Sequence, residues 1–188
     1  MRIRNEVETS VRAEVSRQKS KGRGKHSACW CSLCEADITA LAMTILPPRY
    51  CTSNCHGSLM EKERPGAVKD AVFSAMRKVS KRPKHQFSFP EANSSKVKIV
   101  NFSYDEGVGQ VTGFMMKSHA PCPCEKCRSD VLAYSLNRYP PKYGVLHGGT
   151  SSLPSYQQDF IRHELGLIIF HAAGVVASHP RHSRTSTH

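Results

Sequence analysis

Cys122, Cys124 and Cys127 place three thiols within six residues, and Cys29, Cys31 and Cys34 do the same earlier in the chain. C-x-C running into C-x2-C sets three sulfurs on one loop and the first turn of a helix, where backbone N–H groups and the helix dipole favour thiolate. That is a chelating arrangement. Zinc takes four tetrahedral ligands, so each triad needs one more from elsewhere. Cys51, Cys55, His56 and His85 are available in the first half of the chain, and His147, His163, His171, His179 and His182 in the second. Only His85 and His182 occupy matching positions, each two residues after a proline that closes a helical pattern. The spacing therefore points to two Cys3His sites: Cys29, Cys31 and Cys34 with His85, and Cys122, Cys124 and Cys127 with His182. Such a site is closed and structural, with no position left for a reacting water. The plainer reading of the two histidines is a cation near the negative end of a helix dipole.

The triads belong to a longer repeat. An ungapped offset of 93 positions, Cys29 to Cys122, also aligns Asp37 with Asp130, the Pro47-Pro48 pair with Pro140-Pro141, and Tyr50 with Tyr143. Further on, "AVFSAMRKVSKRPKH" ending at His85 echoes "IIFHAAGVVASHPRH" ending at His182. Repetition on this scale means two versions of one supersecondary unit. The expected organisation is a first unit over 1–88, a linker over 89–97, a second unit over 98–183 and a short tail over 184–188. Units this small bury modest cores and lean on metal or on association for stability. Two of them side by side supply that association within one chain, so a compact monomer with an internal pseudo-dimer is expected.

The elements that must position these residues are helical. Ile3, Val7, Val11 and Val15 recur every four residues and predict an amphipathic first helix. A second runs from about Ala36 to Leu46, apolar nearly all round, and the double proline stops it. A third starts near Pro65 and carries Val68, Val72, Ala75, Met76 and Val79 on one face; its counterpart stripe is Ile161, Leu165, Ile168, Ala172 and Val176. The weak point is "NFSYDEGVGQVTGFMMKS", whose three glycines each cost about 1 kcal/mol in a helix interior, so a kinked or partly unwound helix is expected there. Nothing alternates like a well-formed sheet. The fold class is mainly α: two tandem small helical domains stabilised by zinc.

The chain carries a net charge of +12 over 188 residues, which invites an anionic partner. Much of that charge sits in "SRQKSKGRGKH", "MRKVSKRPKH" and "HPRHSRTSTH", segments that attract phosphate without choosing its carrier. The N-terminus has no signal-like apolar run, and Leu165 to Ala177 is too short an apolar run to span a bilayer. A cytoplasmic protein without membrane attachment is expected, where thiols stay reduced and favour metal over disulfide.

A second constellation pairs Pro47-Pro48-Arg49-Tyr50 with Pro140-Pro141-Lys142-Tyr143. A stiff extended dipeptide there displays a cation and an aromatic ring at the end of a buried helix, suited to a phosphate and a base. Asn137 and Arg138 precede the second copy, where the first has Thr44 and Ile45. The plainer reading is a helix stop whose tyrosine packs on the core.

"CPCEKCRSDVLAYSLNRYPPKYGV" closely resembles the signature of the late competence development protein ComFB family, and "CWCSLCEADITALAMTILPPRYC" resembles it as a degenerate copy without the Asn-Arg pair. The resemblance implies small α-helical domains that form homodimers and hold zinc through the cysteines. It also implies an association with competence, motility and the binding of cyclic dinucleotides such as c-di-GMP and c-di-AMP. On that basis the expected function is a non-enzymatic receptor or adaptor that binds a cyclic dinucleotide through Arg49, Tyr50, Asn137, Arg138, Lys142 and Tyr143 and relays its state to a protein partner. The alternative is a nucleic-acid-binding zinc protein. A zinc enzyme would need an open coordination position and a carboxylate base, whereas Asp37 and Asp130 are explained as first-turn residues favoured by the dipole.

Overall fold

The computed structural model describes residues 3–21, 29–52, 66–84, 97–117, 122–147 and 153–181. Each half opens with a short strand that runs directly into a helix: β1 (Ile3–Asn5) into α1 (Glu6–Ser20), and β3 (Val97–Asn101) into α4 (Phe102–Lys117). The thiol loops lead into α2 (Ser32–Ile45) and α5 (Glu125–Leu136), the prolines follow, and the chain returns as β2 (Tyr50–Thr52) and β4 (Tyr143–His147). The last helices are α3 (Ala67–Lys81) and α6 (Ser155–Ser178).

The chain is mainly helical, with one correction to the expectation. Two antiparallel ribbons are present, β1 with β2 and β3 with β4, and their registers correspond: Asn5 faces Tyr50 as Asn101 faces Tyr143. Ile3 therefore lies in a strand, not on the first helix. Asn5 ends that strand because its Oδ1 accepts the Val7 N–H at 3.3 Å, a helix cap. Asn101 caps α4 in the same way through the Tyr104 N–H at 3.1 Å.

Three helices pack in each half. Val7, Val11 and Val15 of α1 meet Cys34, Ile38, Ala42 and Met43 of α2 and Ala71, Val72, Ala75 and Val79 of α3. In the second half Val111 and Met115 of α4 meet Val131, Leu132 and Leu136 of α5 and Ile161, Leu165, Ile169 and Ala172 of α6. The expected stripe on α6 thus holds, with Ile168 and Val176 at its margin. The glycine-bearing α4 is continuous over 16 residues rather than broken. A Cβ on Gly107 would stand 3.0 Å from Leu132 Cδ1 and 3.4 Å from Leu136 and Leu165, so the missing side chain lets three helices approach. Packing then offsets the helix-propensity cost.

The larger contacts between the halves run from helix to ribbon, α2 against β3 and β4 and α5 against β2. One further expectation changes. α6 spans 24 residues and, by length and composition alone, is long and apolar enough to cross a membrane. It nevertheless carries Asp159, Arg162, His163 and Glu164 in its first half, and one face lines the core.

Candidate functional site

The two thiol triads are built alike. Cys31 and Cys124 are the N-caps of α2 and α5, each sulfur accepting the N–H of the third residue on, Cys34 at 3.5 Å and Cys127 at 3.4 Å. Within each triad the three sulfurs lie within 4.8 Å of one another. Tetrahedral zinc with bonds near 2.3 Å would set them roughly 3.8 Å apart, so small movements suffice and each triad could hold a metal ion. The electrostatics agree. Burial, together with Cys124 and Cys122, pushes the Cys127 thiol up to about 12; burial and the adjacent Cys31 and Cys29 push Cys34 far up as well. Cys124 moves the other way. Burial opposes its ionisation, yet the Cys127 N–H and its neighbours bring it down to about 7. In the second triad Cys124 is thus the readier thiolate while burial keeps Cys127 protonated, an arrangement that a bound cation would complete.

Among the described residues no fourth Cys, His, Asp or Glu joins either triad. His85 and His182 lie outside the described residues, as do Cys55 and His56. Cys51 sits elsewhere, its thiol 3.7 Å from the Arg4 carbonyl and 3.6 Å from the Glu6 carboxylate. One turn beyond each triad a buried aspartate clasps the chain after the third helix of that half. Lys84 Nζ donates to Asp37 Oδ1 at 2.7 Å, and Arg181 pairs with Asp130 at 3.7 Å. Lys84 and Arg181 are the residues immediately before His85 and His182.

The second constellation is divided by the fold. Tyr50 is only 4% exposed and packs within the core of the second half, stacked on Tyr104 at 6.2 Å. Its hydroxyl accepts from Asn101 Nδ2. Asn137 grips the Tyr50 backbone twice, its Oδ1 accepting the N–H at 2.6 Å and its Nδ2 donating to the carbonyl at 2.9 Å. Reciprocally, Tyr143 packs against the core of the first half, accepts from Asn5 Nδ2 at 3.0 Å and donates to Glu8 Oε1 at 2.7 Å. Burial pushes Tyr50 to about 12 and, with Tyr50 and Glu8 nearby, pushes Tyr143 higher still, so both remain protonated donors. Each tyrosine thus crosses into the other half and meets the asparagine that caps the other half's first helix.

The cations around this joint point apart. Arg49 lies 3.7 Å from Glu6, Arg138 stacks over the Tyr134 ring at 3.4 Å, and Lys142 is exposed. Of the six residues expected to form one binding edge, Tyr50 lines the groove that opens at the joint. That groove encloses about 410 Å³ between the β1–α1 and β3–α4 turns and presents Arg4, Arg12 and Lys98 beside Glu8 and Asp105, with Asn5, Asn101 and Tyr104 in its walls. Sequence reasoning missed Arg4, Arg12, Lys98 and Tyr104. The available signal was Ile3-Arg4-Asn5 against Ile99-Val100-Asn101, a repeat hidden because Ile3 shares the four-residue spacing of the valines.

The model of the late competence development protein ComFB family matches residues 4–83 and again residues 104–180. No curated protein and no solved structure matches the chain. Each matched segment holds one Cys triad, one double proline and one crossing tyrosine, and together they cover well over half the chain. The chain therefore belongs to the late competence development protein ComFB family, in two tandem segments.

Proposed function

We propose that this chain is a non-enzymatic signalling module in which the two halves act as an internal pseudo-dimer, each triad holds structural zinc, and a cyclic dinucleotide binds in the groove at the joint. The observation that carries this reading is the groove itself. Corresponding residues face each other across it, Ile3 and Asn5 on one side and Ile99 and Asn101 on the other, which suits a ligand that is itself nearly two-fold symmetric. Its size falls within the range of small-ligand pockets. Arg4 and Arg12 can each grip a phosphate with two hydrogen bonds, and Lys98 adds a point charge from the opposite wall. The tyrosine pair Tyr50 and Tyr104 supplies an aromatic floor. Arg49, Arg138 and Lys142 then belong to the surroundings of the joint, and a change in the groove reaches them through Tyr50, Asn137 and Tyr143. That is a route by which an occupied groove is reported to a protein partner on the outer surface.

Zinc is favoured by the thiol-rich donor sets. The clasps of Lys84 on Asp37 and Arg181 on Asp130 support His85 and His182 as fourth ligands, because each tethers the preceding residue one turn beyond a triad. Zinc would supply folding free energy rather than chemistry, since the thiolates and the fourth ligand fill its coordination.

Calorimetry of the full chain with c-di-GMP, c-di-AMP and a linear dinucleotide tests the receptor reading. Micromolar binding of a cyclic compound, weakened at least tenfold by Arg4→Ala with Arg12→Ala, is expected. No binding of either compound to a folded, metal-loaded sample refutes it. Tight binding to DNA that falls steeply with salt would favour the nucleic-acid alternative, since many phosphates give a steep slope and a dinucleotide offers two.

A further inference from the structure

The two halves treat the outer face of their third helix differently. Along α6, Tyr156, Phe160, Leu167 and Phe170 are 68%, 58%, 63% and 70% exposed. The corresponding face of α3 carries Asp70 where α6 has Leu167 and Arg77 where α6 has Gly174. The repeat thereby supplies its own control at these two positions: α3 keeps an aromatic, Phe73, where α6 has Phe170, but folds against its core with charge at the other two, so Leu167 and Gly174 are not requirements of the fold. Stripes of this size on otherwise polar surfaces mark interaction sites.

The stripe has the period of a helix partner. Phe160, Leu167 and Gly174 recur every seven residues, a drift of only about 20° per step around the helix. Its two ends are also complementary to each other. The N-terminal end is bulky, with Tyr156 and Phe160. The C-terminal end is hollow: a depression of about 370 Å³ is framed by His171, Gly174, Val175 and Ser178, with His179 at its edge. Those four residues stand at i, i+3, i+4 and i+7, the frame of a hole that receives one knob from a facing helix. A Cβ on Gly174 would meet nothing within 4 Å, so the floor of the hollow is open.

We propose that α6 is a self-association surface: two copies of the chain pair their α6 helices antiparallel about Leu167, each seating Phe160 in the other's hollow at Gly174. The geometry closes on itself. Phe160 lies seven residues before Leu167 and the hollow centres seven residues after it, about 10 Å on either side at 1.5 Å per residue, so one two-fold axis satisfies both contacts. Glu164 of one copy then falls beside His171 of the other. The pairing joins whole chains through their second halves, beyond the internal joint and beyond the monomer expected from the repeat alone. Three aromatics and a leucine, each about two-thirds exposed, with their flanks bring the buried total to roughly 1,200 Å², the lower edge of specific interfaces. The charges at Asp159, Arg162 and Glu164 favour this occupant over a bilayer.

Sedimentation equilibrium of the full chain tests it. Wild type is expected to dimerise with a Kd on the order of 10 µM, as befits an interface of this size. Leu167→Asp puts two carboxylates at the axis, and Gly174→Leu fills the hollow from a Cβ that meets no neighbour; each is expected to weaken the dimer at least tenfold with the circular dichroism spectrum unchanged. Phe160→Ala follows the same direction. A chain that stays monomeric at about 200 µM, or a dimer untouched by both Leu167→Asp and Gly174→Leu, overturns the proposal. So does a monomer that floats with phosphatidylcholine vesicles and is released by Leu167→Asp, since the stripe would then face lipid.

Discussion

Replacing Asn137 with alanine isolates the tie that holds the halves together. The side chain spans the joint with two hydrogen bonds to the backbone N–H and carbonyl of one residue, Tyr50, at 2.6 and 2.9 Å. Each is worth about 1 kcal/mol net, and stranding the Tyr50 N–H and carbonyl adds a desolvation penalty of about 1–3 kcal/mol where water cannot replace the amide. Asn137 itself is half-buried, so water partly enters and the expected loss is about 2–4 kcal/mol. In a chain of this length each kcal/mol lowers the melting point by about 2–4 °C, giving a fall of roughly 4–16 °C in a calorimetric scan. Arg138→Ala is the control. It removes an exposed stack on Tyr134, worth about 0.5–1 kcal/mol, and a long exposed hydrogen bond from Nη1 to the Tyr134 carbonyl at 3.3 Å, and should melt within about 3 °C of wild type. Asn137→Thr, the residue standing at Thr44 in the first half, should behave like alanine. An Asn137→Ala chain that melts within about 1 °C of wild type, or that loses no more than Arg138→Ala, would refute this role for Asn137.

Native mass spectrometry should find two metal ions per chain, and chelation should lower the melting point, because metal bound to the folded form contributes folding free energy; a single ion would discard one triad. In the metal-stripped chain iodoacetamide should label Cys124 well before Cys127, with the Cys124 rate rising through pH 7 and levelling off above it. The folded pKa of Cys124 lies below its ordinary value near 9, so the stability its thiolate lends is full above about pH 9 and fades as pH falls through about 7; equal labelling of both cysteines would contradict this. Gly109→Ala meets open space on α4 and should raise stability by about 0.5–1 kcal/mol, whereas Gly107→Ala should forfeit that gain against Leu132; identical shifts in denaturant midpoint would refute the packing argument.

The parts of this fold that repeat locally were legible from residue types. The triads, the double prolines and the apolar stripes of α2, α3 and α6 follow from spacing, because helix periodicity and helix stops are local properties. The ribbons were not. A three-residue strand such as Ile3-Arg4-Asn5 is too short to show alternation, although Asn5 with Glu8 three residues on is a helix-start pattern resembling a capping box and was available as a warning. Nor was the fate of Tyr50 and Tyr143 legible, since each is placed by an asparagine roughly fifty or more residues away along the chain: Asn101 for Tyr50 and Asn5 for Tyr143. A cation beside an aromatic ring reads as a binding edge until the fold turns the ring inward. Arg4, Arg12 and Lys98 were lost in a generally basic chain because charge alone does not say which residues converge.

The crossing of Tyr50 and Tyr143 has a consequence for how such a chain can change. In an assembly of two identical subunits every substitution at the contact is made twice, and both copies must tolerate it at once. Here the two sides of the contact are encoded separately, so Asn137 can hold the Tyr50 backbone while Thr44, at the matching position, turns its hydroxyl back to Ala40 of its own helix at 2.9 Å. One side can specialise as a fastener while the other drifts toward a different task. Joining the halves in one polypeptide therefore does more than raise their local concentration: it releases the contact from self-complementarity.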